Sequence, residues 1–247
     1  MYRHADTHAL LFLITDGFRC TCGDVNWKHS IVLKTTGGKE SNLPNLLMYK
    51  IVTLESVAEI RLGMPFKSAI QDAGEQGSCY LIQTKDIGLD GILDLGTLTS
   101  VIPEGNPEKH YLFPNDILLR LRGPVFSAGI IEGNLGKPII TSNQLAVIRC
   151  NENLILPHYL HWYINSTSGS KYIRSLSEGT SISKINSKTV SKMAVKLPNL
   201  RVQEKIGFIN RNWIKQKVIY NSLIQNGDVL FDGICENIID SEELENE

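Results

Sequence analysis

The sequence predicts an α+β fold, in which a compact β-rich domain with short helices is followed by one long C-terminal helix. Two observations lead to this prediction. Between residues 78 and 148, short β-branched runs alternate with turn residues, as in a twisted β core. After Pro198, apolar residues recur every three or four positions, which is the period of an amphipathic helix. The β runs are CYLIQTKDI, GILDLGTLTSVI, YLFPNDILLRLRG, FSAGIIEG and PIITSNQLAVIRC.

The start of the domain is marked by a change of pattern at Met48. Residues 1–47 show no sustained period and are predicted only as an N-terminal extension of unclear fold. Residues 48–69 then predict a short strand, a brief helix and a Gly-Met-Pro turn. The domain is therefore predicted over 48–197. The brief helix would place these apolar residues on one side: Leu54, Val57, Ala58 and Ile60.

Helices are predicted in the last third of the chain. Residues 156–176 have helical spacing that is interrupted by a polar, glycine-containing break, so two helical pieces are expected. Pro198 is tolerated in a first helical turn, and Asn226 and Gly227 form a plausible C-cap. These signals predict a long helix over 198–227 and an acidic tail over 228–247.

Composition indicates a folded cytoplasmic protein that does not enter a membrane. The chain has 247 residues, of which 42% are apolar, and this is ample for a packed core. The longest apolar run near the start covers residues 9–14, far short of the roughly 20 residues of a membrane-spanning helix. Five widely spread cysteines fit reduced thiols in a reducing compartment.

No metal site or catalytic site is predicted. Cys20 and Cys22 lie near His4, His8 and His29, but their spacing is not a usual Cys-x-x-Cys pattern. The sequence also contains no complete phosphate-binding loop, no Gly-x-Ser-x-Gly elbow and no His-Glu-x-x-His helix. A non-catalytic protein is expected.

His158 and His161 are spaced three residues apart on a predicted helix, among aromatic and aliphatic neighbours. This environment favours packed or hydrogen-bonded structural histidines over metal ligands.

Charge is distributed very unevenly along the chain. Residues 161–220 contain eleven Lys or Arg and two Glu, a local charge of +9, although the whole chain carries −1. Eight acidic residues and no base follow Gly227. Because a DNA duplex attracts clustered cations through its phosphates, the basic region favours DNA binding. A solvated surface is the alternative interpretation.

The candidate phosphate-binding residues are cations and short hydrogen-bond donors in and around a Gly/Ser-rich loop. They are Lys171, Arg174, Thr180, Ser181, Ser183, Lys184, Asn186, Lys188 and Lys192.

Two further pairs are candidates for base contacts. Arg120 and Arg122 alternate on a predicted strand and share one face, where a guanidinium could bond phosphate or guanine. They could equally pair with Asp86, Asp116 or Glu132. The second pair comprises Asn143 and Gln144, whose amides could bond adenine edges, although a polar turn entering a strand also explains them.

The long helix carries two apolar stripes, which predict that it packs on its own domain and also meets another helix. The first stripe contains Val202, Ile206, Ile209, Trp213, Tyr220 and Leu223, and the second contains Leu200, Ile214 and Val218.

The order of these segments resembles a target-recognition domain of the DNA-specificity subunit of type I restriction-modification systems, over about residues 48–226. The segments are VTLESVAEIRLGMPFK, YLIQTKDI, FPNDILLRLRG, LHWYINS, KYIRSLSEG and GTSISKINSKTVSKMAVKLPNLRVQEKI.

This resemblance implies a non-catalytic module that reads part of a bipartite site in double-stranded DNA. It would dock a modification methyltransferase subunit and, through it, a restriction and translocase subunit. The chain itself would need no cofactor, because S-adenosylmethionine, ATP and Mg would belong to the partner subunits. Family members usually carry two recognition domains and two helices paired antiparallel, whereas this chain has one of each.

The chain therefore looks like a half-subunit that pairs with a copy of itself or with a second half-subunit, or like a truncated relic. The helix-pairing surface would consist of Ile206, Ile209, Trp213, Tyr220 and Leu223. The alternative functions are a protein-interaction adaptor, which uses the helix and the acidic tail without reading DNA, and an unrecognised nuclease.

Overall fold

The computed structural model describes residues 49–133, 136–177 and 184–244, all within one compact unit, Leu47–Glu247. The strands of the described residues are β1 Lys50–Thr53, β2 Ala58–Leu62, β3 Cys79–Ile82, β4 Thr99–Val101, β5 Ile117–Arg120, β6 Ala128–Ile130, β7 Ile139–Thr141, β8 Leu145–Cys150 and β9 Ala194–Leu197. The helices are α1 Pro157–Asn165, α2 Thr167–Ser175, α3 Ser187–Ser191 and α4 Leu200–Leu244.

The central layer is an antiparallel sheet of four strands in the order β2-β8-β5-β6. A second sheet has the order β4-β3-β7, with β3 and β7 parallel. Strands β1 and β9 form a separate antiparallel pair that brings the start of the domain next to the entry of α4. The predicted α+β fold with a long C-terminal helix is confirmed.

The central sheet is buried on both faces, which explains why β5 reads as a continuous apolar run. Ile117 and Leu119 pack in the same cluster as the α1 residues Tyr159 and Leu160. Leu118, which alternates with them, packs in the cluster formed with the second sheet. Both clusters consist of fully or almost fully buried side chains, so the four-stranded sheet is a rigid support for the loops at its ends.

The brief helix expected after β1 is not formed. A single 3-10 turn at Leu54–Ser56 is followed at Ala58 by strand β2, where Ile60 pairs with Ile148. The apolar residues Leu54, Val57 and Ala58 are buried as expected. Over so short a run, the same spacing fits a turn followed by a strand, and pairing with β8 decides between them.

Helix α4 differs from its prediction at both ends. It starts at Leu200 rather than at Pro198, because the Asn199 side chain accepts a hydrogen bond from the Val202 N–H (3.0 Å) and caps the first turn. It continues through Asn226 and Gly227 to Leu244, so most of the predicted acidic tail is helical. Gly227 does not adopt a positive φ, and a glycine without that geometry weakens a helix but does not end it.

The two helical pieces predicted between residues 156 and 176 are present as α1 and α2. Ser166 separates them, and its hydroxyl accepts a hydrogen bond from the Gly169 N–H (3.1 Å) as the N-cap of α2. Within the described parts of the chain, no helix is both long enough and apolar enough to span a membrane.

Candidate nucleic-acid interface

Three chain segments meet at one end of the central sheet. Strand β5 is extended by Leu121, whose N–H donates to the carbonyl of Gln144 (3.2 Å). The Leu121 carbonyl in turn accepts a hydrogen bond from the Ile185 N–H (3.0 Å), and Arg122 forms a β-bridge with Lys184. Residues far apart in the sequence thus become neighbours, and we call this end the candidate reading edge.

Two glycines shape the edge. Gly63 follows β2, and a Cβ there would lie 2.2 Å from the carbonyl oxygen of Ser142, so only glycine allows this close approach. Gly123 has φ +122, which favours glycine and turns the chain away immediately after Arg122. The turn before β8 and the loop after β5 can therefore lie side by side.

The two arginines of the edge have different environments. Arg120 is half-buried, and its Nη1 donates to the Ile87 carbonyl (3.3 Å), while its Nε is buried without a partner among the described residues. Arg122 is exposed, and its guanidinium has no hydrogen-bond or ion-pair partner in the described residues. The Arg120 side chain is thus bound within the domain, whereas the exposed guanidinium of Arg122 is accessible to an anion from solution.

Neither arginine pairs with the acidic residues considered as structural partners. Asp116 is buried and accepts two hydrogen bonds from Arg149, at 2.7 and 2.8 Å. Asp86 accepts a hydrogen bond from the Gln83 N–H (2.7 Å), and burial raises the pKa of its carboxyl group. Glu132 lies 4.0 Å from His158. In the described chain, Asp116 and Asp86 are therefore engaged by other groups, and Glu132 lies beside His158 rather than beside either arginine.

Asn143 and Gln144 are both exposed in the turn that enters β8. The Gln144 side-chain oxygen accepts a hydrogen bond from the Thr84 hydroxyl (3.3 Å), which places Thr84 at the edge. The backbone N–H of Asn143 donates to Met64, so its side chain is not needed to hold the turn. The polar turn is present, and contact of these amide groups with adenine edges stays a prediction.

The segment that begins at Lys184 forms the third side of the candidate reading edge. Leu176, Lys184, Ile185, Asn186 and Thr189 line a small depression of about 80 Å³. The Asn186 side-chain oxygen caps α3 by accepting from the N–H (2.8 Å) and the hydroxyl (3.0 Å) of Thr189. Lys184 is exposed at the rim and has no side-chain partner among the described residues.

The basic residues of α2 lie next to the same loop. Arg174 Nη2 donates to the Pro124 carbonyl (2.6 Å), one residue after Gly123. Lys171, one turn earlier, is exposed. Arg174 therefore anchors α2 to the edge, while its remaining donors stay accessible.

The last candidates separate into two groups. Lys188 on α3 is exposed, but Lys192 forms an ion pair with Glu55 (2.5 Å) in the turn before β2. Strand β2 begins beside Cys150, at the end of β8 away from Gln144. Thr180, Ser181 and Ser183 lie outside the described residues, as do Cys20 and Cys22.

A second surface is formed where α4 docks on the domain. Gln203 is fully buried, and its side chain bonds the Leu156 N–H (2.8 Å) and the carbonyls of Leu154 (3.1 Å) and Pro198 (2.8 Å). One turn on, a Cβ at Gly207 would lie 3.1 Å from the His158 Cβ, so α4 approaches α1 closely. The joint between α4 and the domain is therefore polar and tight.

His161 lies at the centre of this joint. Its Nε2 donates to the Ala128 carbonyl (2.8 Å), and its Nδ1 accepts from the Asn210 amide (3.1 Å), which assigns the neutral Nε2–H tautomer. Burial lowers the pKa of His161 to about 4. The expected structural role of this histidine is confirmed, and its link to Asn210 was not anticipated.

The residues predicted for helix pairing fall into two groups, one that packs on the domain and one that is exposed. Ile206 is half-buried against the domain core, so it belongs to the joint. Ile209, Trp213, Tyr220 and Leu223 are between 53% and 67% exposed. In the second stripe Ile214 is half-buried, whereas Leu200 and Val218 are 42% and 45% exposed.

Thr84, Gln203 and Asn210 were not among the predicted site residues, although Thr84 and Gln203 lie in segments that carry the family resemblance. The one available hint lies in the helix period, since Gln203, Gly207 and Asn210 recur every three or four residues.

Comparison with known proteins assigns the family. Residues 48–225 match the model for the type I restriction modification DNA specificity domain. A solved structure described for complex assembly and conformational transition of the type I R-M system matches with 21% identity and a TM-score of 0.50, over 74% of this chain and 42% of that chain. Comparison with curated proteins finds no match.

Two crystal structures of individual subunits also match. The HsdS subunit from Thermoanaerobacter tengcongensis has 20% identity and a TM-score of 0.48, over 74% of this chain and 41% of that chain. The S subunit from M. genitalium has 17% identity and a TM-score of 0.46, over 68% and 40%. The chain thus spans about two fifths of each matched protein, and it belongs to the type I restriction-modification DNA specificity domain family.

Proposed function

We propose that this chain is a non-catalytic, cytoplasmic subunit that reads one half of a bipartite DNA site through the candidate reading edge. The observation that supports this most directly is the convergence of Arg122, Gln144 and Lys184 at one end of a rigid sheet. Two exposed cations without acidic partners in the described residues suit phosphate or guanine, and the amide beside them suits a base edge.

The remaining cations fit a supporting role. Lys171, Arg174 and Lys188 can contact phosphates and set the register of the domain on the duplex. Lys192 forms an ion pair with Glu55, so we omit it from the proposed DNA surface.

Assembly with partners forms the other half of the proposal. The domain would dock modification methyltransferase subunits, and through them a restriction subunit, which supply S-adenosylmethionine, ATP and Mg. In this proposal a second recognition domain pairs with this one, as the resemblance to family members with two recognition domains implies. The exposed face of α4 is the surface proposed for that helix pairing.

The test compares two double variants that remove the same charge. Arg122→Ala with Lys184→Ala alters the reading edge, and Lys109→Ala with Lys192→Ala alters exposed cations elsewhere. Affinity for a mixed-sequence duplex should depend on salt, and the first variant should reduce the slope of log K against log salt by about 2. The second variant should leave the slope unchanged.

Two results would contradict DNA reading. One is equal loss of affinity in both double variants, and the other is wild-type binding that does not change between about 50 and 200 mM salt. An adaptor function is favoured by the large apolar area of α4. It predicts that the reading-edge variant binds its protein partners normally while the wild type shows no DNA binding.

A further inference from the structure

The turn that follows β3 forms a further side of the candidate reading edge. Thr84 is the first residue of this single 3-10 turn, and its hydroxyl donates to the side-chain oxygen of Gln144 at 3.3 Å. The two residues lie 60 positions apart in the sequence and belong to different sheets, because β3 is part of the second sheet and Gln144 leads into β8 of the central sheet. The hydrogen bond therefore joins the two sheets at the place where Gln144 is exposed.

Buried residues hold this turn on both sides. Ile82 before the turn and Ile87 after it are almost fully buried. The Ile82 carbonyl accepts a hydrogen bond from the Thr141 hydroxyl (2.7 Å). The Ile87 carbonyl accepts one from Arg120 Nη1 (3.3 Å). Because the backbone is fixed before and after the turn, the Thr84 side chain has a defined place at the edge.

Hydrogen bonds within the turn do not involve the Thr84 hydroxyl. The buried carboxylate of Asp86 accepts from the Gln83 N–H (2.7 Å), and the Asp86 N–H donates to the Gln83 carbonyl (3.1 Å). The Gln83 side chain donates to the Thr99 hydroxyl on β4 (3.1 Å). In the described part of the chain, Gln144 is the hydrogen-bond partner of the Thr84 hydroxyl. The hydroxyl is therefore not needed to hold its own turn.

The backbone of Gln144 is fixed independently of its side chain. The Leu145 N–H donates to the Ser142 carbonyl (3.1 Å), which closes a β-turn with Asn143 and Gln144 at its centre. The Gln144 carbonyl accepts a hydrogen bond from the Leu121 N–H (3.2 Å). Its amide group extends from this rigid turn into solvent. The position of the amide is therefore decided by what the side chain itself contacts.

The two amide side chains of the β-turn differ in this respect. The Asn143 side chain makes no hydrogen bond to another described residue, whereas the Gln144 side chain is held by Thr84. A glutamine side chain has several rotatable bonds, and fixing such a side chain during binding lowers affinity about threefold to tenfold. An amide that is already held before DNA binds avoids much of this loss. Gln144 is therefore the preorganised amide of the pair.

The hydrogen bond leaves the Gln144 amide able to contact a base. The amide oxygen has two lone pairs, of which the Thr84 hydroxyl uses one, and both N–H groups of the amide are unused within the described residues. Adenine presents one acceptor and one donor in the major groove. The remaining lone pair and one N–H are sufficient for this two-point contact.

From the hydrogen bond, the rigid turns and the remaining amide groups, we propose that Thr84 is a positioning residue for DNA reading. Its hydroxyl holds the Gln144 amide at the reading edge and thereby sharpens the choice of one base pair. This inference rests on the proposed function, because it deepens the role of Gln144 at the reading edge. Thr84 acts through Gln144 and does not itself contact a base.

The test uses the full chain and a pool of DNA duplexes with a randomised centre, from which the bound fraction is sequenced. The base pair at which Gln144→Ala loses its preference defines the position that Gln144 reads. Thr84→Val removes the hydroxyl and keeps the shape of the side chain, so it should lower the preference at that position about threefold to tenfold. Thr84→Ser should retain the preference. Thr97→Val, at an exposed threonine, is the matched control and should change nothing.

Two further variants separate positioning from a general effect on the fold. Thr84→Ala also lacks the hydroxyl and should reproduce the loss seen with Thr84→Val. When Gln144 is already alanine, Thr84→Val should cause no further loss, because the hydroxyl then has no amide to hold. Both results support the proposal.

Several outcomes overturn the role of Thr84. They are an unchanged preference in Thr84→Val, an equal loss of affinity for all sequences, a further loss when Gln144 is alanine, and a Gln144→Ala chain that keeps the wild-type preference. In each case a wild-type chain that still selects a sequence leaves DNA reading intact. A wild-type chain that enriches no sequence instead contradicts the proposed function itself, so the two failures are distinguishable.

Discussion

The two halves of α4 contrast in a way that composition does not suggest. The half from Leu200 to Lys217 docks on the domain largely through an amide, a glycine and a second amide. The half that follows is richer in apolar residues, yet eleven of them between Val218 and Ile239 are 45% to 74% exposed; Leu230, for example, is 65% exposed. Hydrogen-bond geometry therefore marks the surface that α4 uses within the domain, whereas exposed apolar residues mark the surface that we propose for helix pairing.

The joint should be most sensitive at Gln203. Gln203→Leu leaves the Leu156 N–H and two carbonyls without partners in a buried site, at a cost of about 3 kcal/mol. Urea unfolding at fixed protein concentration measures the loss. Gln225→Leu, on the exposed half, is the matched control and should change stability very little. Equal losses in both variants would remove the contrast between the two halves.

Close approach at Gly207 gives the next largest effect. Gly207→Leu forces a side chain into the contact with His158 and should cost about 2 kcal/mol. Gly233→Leu serves as the control, because no atom lies within 4 Å of its Cβ position. Thermal unfolding of the two variants decides; a stable Gly207→Leu protein would mean that α4 docks loosely.

Acid should weaken the joint through His161. Its pKa is about 4 in the folded chain, below the ordinary value of 6.5, so the unfolded chain binds the proton more readily. This contribution to stability is complete above pH 6.5 and declines as pH falls towards 4. At pH 5.5 the loss is about 1 kcal/mol. His161→Gln should flatten the pH dependence of the melting temperature, and an unchanged slope would exclude this histidine as the cause.

The smallest effect is expected at the outer limit of the joint. Lys217 Nζ pairs with Asp90 (3.2 Å) and bonds its carbonyl (3.0 Å), partly exposed to solvent. Lys217→Met should therefore cost less than about 1 kcal/mol. Lys205→Met removes an exposed charge without such a pair and is the comparison. A larger loss at Lys217 would place the end of the docked half beyond this residue.

Local patterns were reliable where one physical signal dominated. The β-branched runs became strands, and the break near Ser166 separated two helices, because turn chemistry and period agreed. Local patterns failed where the signal was weak or where one spacing fitted two kinds of secondary structure. Four apolar residues after β1 fit both a helix and a turn with a strand, and Gly227 was interpreted as a cap although the apolar period continues beyond it.

The sequence by itself determined the α+β fold class, the amphipathic helix, the basic region and the resemblance to a specificity domain, since these depend on residue type and spacing. Tertiary structure decided that Arg122, Gln144 and Lys184 share one edge, because strand pairing brings together segments that are distant in the chain. It also decided that Lys192 pairs with Glu55. The buried amide of Gln203, and not the apolar side chain of a leucine, attaches α4 to the domain. These contacts depend on which groups meet in space, and they cannot be predicted from residue spacing along the chain.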